Sequence, residues 1–89
     1  MTVCRRVYYS GQVQGVGFRY TARGLAEGYA VTGFVKNNPD GRVELVAEGD
    51  MAEVERFLEA IRQQMDGYIE GLDVTDEPLQ GFTEFRIAR

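Results

Sequence analysis

Apolar and polar residues alternate over the first stretch of the chain. Val3, Val7, Tyr9, Gly11 and Val13 share one face, so residues 5–13 are predicted to form a half-buried strand. The period then changes. Phe18, Ala22, Leu25, Ala26 and Tyr29 recur at helical spacing, which predicts a helix from Arg19 to about Gly28, with Gly28 as its stop. Residues 30–37 and 42–48 read as two further strands. Asn38-Pro39-Asp40-Gly41 between them has its residues in turn order, so a hairpin with a four-residue connection is expected. Asp50 followed by Glu53 resembles a capping box, and Val54, Phe57, Leu58, Ile61 and Met65 form an apolar stripe along a second helix over 51–65. Tyr68, Leu72 and Val74 mark a strand over 68–75. Phe85 and Ile87 mark a last one over 83–88, after a loop at Asp76-Glu77-Pro78.

Strand, helix, strand, strand, helix, strand, with a short extra strand, is most economically packed as an antiparallel sheet of four to five strands with both helices on one face. That is an α+β, ferredoxin-like βαββαβ sandwich. At 89 residues, 44% of them hydrophobic, the chain has enough material for one such core and too little for a second, so residues 1–89 are expected to be one domain. No run approaches the length of a membrane span and the start lacks the apolar run of a signal peptide, so a cytoplasmic location is expected.

Between the first strand and the first helix lies Gly11-Gln12-Val13-Gln14-Gly15-Val16-Gly17-Phe18-Arg19. Glycines free to take positive φ let a backbone turn several N–H groups toward one point, and the following helix adds its positive end. Arg19 supplies a planar, two-pronged cation suited to phosphate oxygens. No Lys-Ser/Thr pair follows the glycines, so this is not a Walker A loop, and the longer dinucleotide fingerprint is missing too. Where a cysteine-dependent phosphatase loop, Cys-x5-Arg, would have its nucleophile, the chain has Val13. The loop could hold phosphate, or be only a tight strand-to-helix connection, and it contains no nucleophile of its own.

The single cysteine, Cys4, can form no internal disulfide. With no histidine in the chain, it also argues against structural zinc and removes the commonest general base. The net charge of −4 speaks against nucleic acid as the main partner. Charge is nevertheless uneven: residues 1–39 carry five positives and one negative, residues 40–89 five positives and thirteen negatives, so the first part would draw in an anion.

A second distinctive stretch runs Gly33-Phe34-Val35-Lys36-Asn37-Asn38-Pro39-Asp40-Gly41-Arg42-Val43 and on to Gly49. With the loop it resembles the acylphosphatase family, which shows Gly-x-Val-Gln-Gly-Val-x-Phe-Arg followed by Gly-aromatic-Val-basic-Asn-x3-Gly-x-Val-x5-Gly. Length and element order fit as well, so the resemblance covers essentially the whole chain. It implies a phosphate-binding loop at Gln14, Gly15, Val16, Gly17, Phe18 and Arg19, a catalytic arginine at Arg19 and a water-orienting asparagine at Asn37. Tyr9 stands where the family has an aliphatic residue, and Ala30 where it often has glycine; neither position belongs to the implied site. The resemblance further implies an enzyme of the acid-anhydride hydrolase class that splits the carboxyl-phosphate bond of acyl phosphates into a carboxylate and inorganic phosphate. No cofactor, metal, nucleic acid or membrane would be involved. Its partners would be a small acyl phosphate and inorganic phosphate as product and inhibitor, and the protein would be a monomer.

Read locally, each of these residues has an alternative use. Asn37 precedes a turn, where asparagine is common; Gln14 can bond loop backbone; Arg19 can pair with Glu27 or a terminal carboxylate. An RNA-recognition domain shares the element order, but its inner-strand motif needs a further aromatic pair where Lys36 and Asn37 stand. A ligand-binding or regulatory domain of the same shape is the other rival, and phosphate binding without turnover would reveal it.

Overall fold

The computed structural model describes residues 1–89. One mixed sheet carries two helices: β1 (Thr2–Gly11), α1 (Phe18–Ala26), β2 (Val31–Asn37), β3 (Val43–Asp50), α2 (Met51–Gln64), β4 (Ile69–Glu77) and β5 (Phe85–Ile87). The strands lie in the order β4-β1-β3-β2-β5. The four long strands pair antiparallel, as expected for the ferredoxin-like arrangement, whereas β5 runs parallel to β2, with Val35 opposite Ile87. A parallel neighbour is possible because residues 78–84 carry the chain back across the sheet before β5 begins.

The core fills the space between sheet and helices. Val7 and Tyr9 of β1, Val31 and Val35 of β2, and Val43, Leu45 and Ala47 of β3 face Phe18, Ala22 and Ala26 of α1 and Val54, Phe57 and Ile61 of α2. Phe57 sits at the centre, edge-on to Phe85 at 5.2 Å and tilted against Tyr29 at 6.0 Å. On the opposite face of central strand β3, Glu44 and Glu48 are both buried, and each has its charge answered. Arg6 pairs with Glu44, while Glu48 accepts the N–H groups of Gln80 (2.6 Å) and Gly81 (2.9 Å), pinning the segment that leads to β5.

Several boundaries differ from the pattern-based expectation. β4 runs through Asp76 and Glu77, expected as loop, because they pair opposite Arg5 and Cys4 and form ion pairs with Arg5 and Arg6; Pro78 ends the strand. Gly28 is not a left-handed cap. Instead α1 tightens into successive i→i−3 bonds from Glu27, Gly28 and Tyr29. Asp50 does cap α2 through Ala52 N–H at 3.1 Å, but Glu53 leaves the reciprocal bond of a capping box and accepts from Ala30 N–H at 3.0 Å. The hairpin connection spans residues 38–42, one longer than expected, and β3 starts at Val43.

Candidate active site

The loop between β1 and α1 is fixed by buried residues at both ends. Val13 is fully buried, and Phe18 packs on Tyr9 of β1 with ring centroids 4.8 Å apart, pulling the start of α1 onto the sheet. Gln12 N–H donates to Tyr68 O at 3.0 Å, tying the loop to the residue before β4. Residues 14–17 must arch between these anchors. Gly15 (φ 78) and Gly17 (φ 81) supply the left-handed backbone this needs, as the Gly-x-Gly spacing predicts.

Gly17 is the N-cap of α1, so no side chain caps the helix, and no acidic residue occupies its first turn. The consequence is chemical: no backbone N–H from Gln14 to Tyr20 has an acceptor in the protein. These donors and the helix's positive end form a preorganised anion cradle. Arg19, half-buried at the helix start, has no carboxylate within ion-pair distance, so neither Glu27 nor the C-terminus engages it. Arg23, Lys36, Arg86 and Arg89 are likewise unpaired, whereas Arg5, Arg6, Arg42, Arg56 and Arg62 all hold carboxylates. Among these cations Arg19 and Arg23 lie on α1, Lys36 on β2 and Arg86 on β5.

Asn37 ends β2 in the same alternation as Val31, Gly33 and Val35, on the side that faces the helices. Its Oδ1 is buried with no hydrogen-bond donor, the one buried side-chain polar atom in the protein so placed. A buried acceptor of this kind calls for a hydrogen-bond donor from outside the protein. Asn38 serves the turn through its main chain, its N–H donating to Arg42 O (2.8 Å) and its carbonyl accepting from Gly41 (3.1 Å).

Gln14 joins the two halves. Its Nε2 donates to Asn38 O at 2.8 Å and to Arg42 O at 3.0 Å, bringing the loop against the β2–β3 turn that follows Asn37. The turn is itself fixed: Asp40 accepts Arg42 N–H (3.1 Å) and Nε (2.9 Å), and the Arg42 guanidinium stacks over the Tyr8 ring at 4.4 Å. Arg42 N–H holds the Asp40 carboxyl below the usual carboxylate range, with the Arg42 side chain adding to the effect. The Asp40–Arg42 lock escaped the sequence reading although the signal was there, since an aspartate accepting an N–H two residues on is a common turn device. The Gln14 contacts, 24 and 28 residues away, left no local signal.

None of the surface cavities is lined by Arg19, Asn37 or residues 14–18; a groove of about 240 Å³ lies under Leu72 and Val74, beside α2. The cradle is an open surface feature with room for a small anion and no enclosed chamber for a large organic group. No three His, Cys, Asp or Glu side chains come together as a metal-ligand set.

Comparison with known proteins decides the family. The acylphosphatase family model matches residues 5–87. The chain belongs to the acylphosphatase family. It is 40% identical over 88 residues to an acylphosphatase of Acaryochloris marina, an alignment covering 98% of this chain and 95% of that one. The crystal structure of acylphosphatase from Bacillus subtilis superposes with a TM-score of 0.88 at 36% identity, covering all of both chains. Full-length HypF in a phosphate- and nucleotide-bound form matches equally well in shape, TM-score 0.88 at 26% identity, but there this chain corresponds to only 12% of the larger protein. The fold therefore occurs both as a chain of this length and as a unit within a longer one.

Proposed function

We propose that the protein hydrolyses the carboxyl-phosphate bond of small acyl phosphates, yielding a carboxylate and inorganic phosphate, with the phosphate held by residues 14–19 and water oriented by Asn37. The observation that carries this reading is the run of unbonded N–H groups beside an unpaired Arg19 on a loop strapped to the strand of Asn37. Phosphoryl transfer passes through a loose transition state whose charge spreads over three equatorial oxygens, so catalysis reduces largely to positioning and electrostatics. Backbone N–H groups and the guanidinium supply those electrostatics without reorganising. A carboxylate leaving group, whose conjugate acid has a pKa of about 4, departs without a general acid, which suits a chain with no histidine. Asparagine is no base at neutral pH, so Asn37 orients the water, and the proton passes to a phosphoryl oxygen or to solvent.

The open cradle leaves the acyl group in solvent, so selectivity rests on the carboxyl phosphate itself. Inorganic phosphate, matching the cradle, acts as a competitive inhibitor. The protein works without a metal as a single-domain cytoplasmic monomer, a setting consistent with its free, buried Cys4. The deciding assay gives purified protein a carboxyl phosphate and a simple phosphate monoester, each with and without chelator. Turnover of the carboxyl phosphate alone, unchanged by chelator and inhibited by phosphate, is expected. Loss of activity in chelator, or comparable rates on both substrates, defeats the mechanism, and phosphate binding without turnover marks a ligand-binding domain.

A further inference from the structure

We propose that Gln14 is a positioning residue whose side-chain amide sets the distance between the phosphate cradle and Asn37, and that it meets the phosphate through its main-chain N–H alone. This rests on the hydrolase reading above and deepens it.

An amide NH2 has two donors, and both are used: one reaches Asn38 O at 2.8 Å, the other Arg42 O at 3.0 Å. What remains is Oε1, an acceptor, which a phosphate dianion would repel. The side chain therefore has nothing to offer the substrate directly. The two carbonyls it grips belong to the first and last residues of the β2–β3 turn, already joined by the Asn38 N–H to Arg42 O bond at 2.8 Å. That turn is braced, since Asp40 holds Arg42 and Arg42 lies against Tyr8. No other hydrogen bond joins residues 12–17 to residues 37–43, so the Gln14 amide alone fixes the loop to the turn in this way. One of the carbonyls it holds belongs to the residue that follows Asn37. A water in line with a phosphorus atom tolerates little misplacement, and displacements near 1 Å at such a site cost about 10²-fold in rate.

The test separates positioning from binding and from simple stability. Gln14→Met keeps the side-chain length and removes both donors. Turnover of a carboxyl phosphate by the folded variant should fall at least about 10-fold, while the inhibition constant of inorganic phosphate stays within about threefold of the parent. In an Asn37→Ala background the same change should alter turnover less than about threefold, because no positioned water is left to misplace. Gln14→Glu adds a pH readout. Its ionised carboxylate faces two carbonyls and donates nothing, whereas the protonated form donates one O–H, so turnover should rise as pH falls through the glutamic acid range relative to the parent profile. A tenfold or greater weakening of phosphate inhibition in Gln14→Met would make Gln14 a direct ligand. Full turnover with only a lowered Tm would make the strap merely structural. Failure of Gln14→Met to fold leaves the pH profile of Gln14→Glu to decide. If the parent protein itself does not turn over a carboxyl phosphate, the hydrolase reading fails instead.

Discussion

Asn37→Ala should remove most of the activity and leave stability within about 1 kcal/mol of the parent. No protein group donates to the buried Oδ1, so truncation breaks no hydrogen bond within the protein. What is lost is the packing of the side chain, about 1 kcal/mol for a methylene-sized contact at the end of a strand. For a domain of this size 1 kcal/mol corresponds to a Tm change of roughly 4–8 °C, which bounds the expected shift. Turnover should fall much further. Loss of one preorganised polar group acting in the transition state costs about 10²–10³-fold. Phosphate inhibition should be unchanged, because the free N–H groups from Gln14 to Tyr20 and Arg19 remain intact. Asn38→Ala is the control: its side chain makes no hydrogen bond, and the turn uses its main chain, so stability should move within about 0.5 kcal/mol and turnover hardly at all. Calorimetry, turnover on a carboxyl phosphate and phosphate inhibition, measured for both variants, decide the matter. An Asn37→Ala protein that melts well below the parent would show that Oδ1 is satisfied and structural. One that remains fully active, or a dead Asn38→Ala, would remove Asn37 from the reaction.

Arg19→Lys keeps the charge but loses the planar fork, so phosphate should bind more weakly and turnover fall by at least about 10-fold with Tm unchanged; near-normal values in a folded variant would move the anion site elsewhere. Gly33→Ala places a Cβ 1.9 Å from Val46 O across the β2–β3 pair, at φ 139, so a loss of at least about 3 kcal/mol is expected in denaturant titration, and a variant within about 1 kcal/mol of the parent would contradict the close pairing. Gln80 N–H, with Gly81 N–H, holds the Glu48 carboxyl below the usual carboxylate range. A depressed folded-state value stabilises above the unfolded pKa of about 4.3 and is lost as pH falls through the folded one, so the Tm gap between the parent and Glu48→Gln should be constant from neutral pH to about pH 5 and narrow below it. A gap that widens on acidification would reverse the assigned sign.

Where the fold was legible, one physical period dominated each segment. The apolar stripe of α2 appears in the structure because Val54, Phe57 and Ile61 must all reach one sheet, and the alternation in β1, β2 and β3 survives because one face of each packs under a helix. Legibility fails where pairing rather than periodicity decides. Asp76 and Glu77 look like loop residues in isolation and are strand because they pair with Arg5 and Cys4 and their carboxylates meet Arg5 and Arg6. The parallel attachment of β5 is invisible in its own three residues, since it depends on Glu48 catching Gln80 and Gly81 thirty-two and thirty-three positions away. Leu72 and Val74 follow the alternation of a half-buried strand, yet each keeps about half its surface exposed, because neither helix extends its cover to β4.

The site divides along the same line. Gly15, Gly17 and Arg19 are readable because their role is local: positive φ at two glycines and a cation at a helix start follow from a span of five residues. The part that turns an anion cradle into a reaction site is the relation between that span and Asn37, and no local pattern encodes it. The relation is carried by one amide, Gln14, whose alternative use, bonding to backbone, is the one the structure adopts, on the turn of another strand and not within its own loop. A loop of this kind with the amide absent would still bind phosphate, because its N–H groups depend on the glycines and the helix. It would lack a defined distance to the water. On the proposed reading, phosphate affinity and turnover rest on different residues, and substitution at Gln14 should separate them.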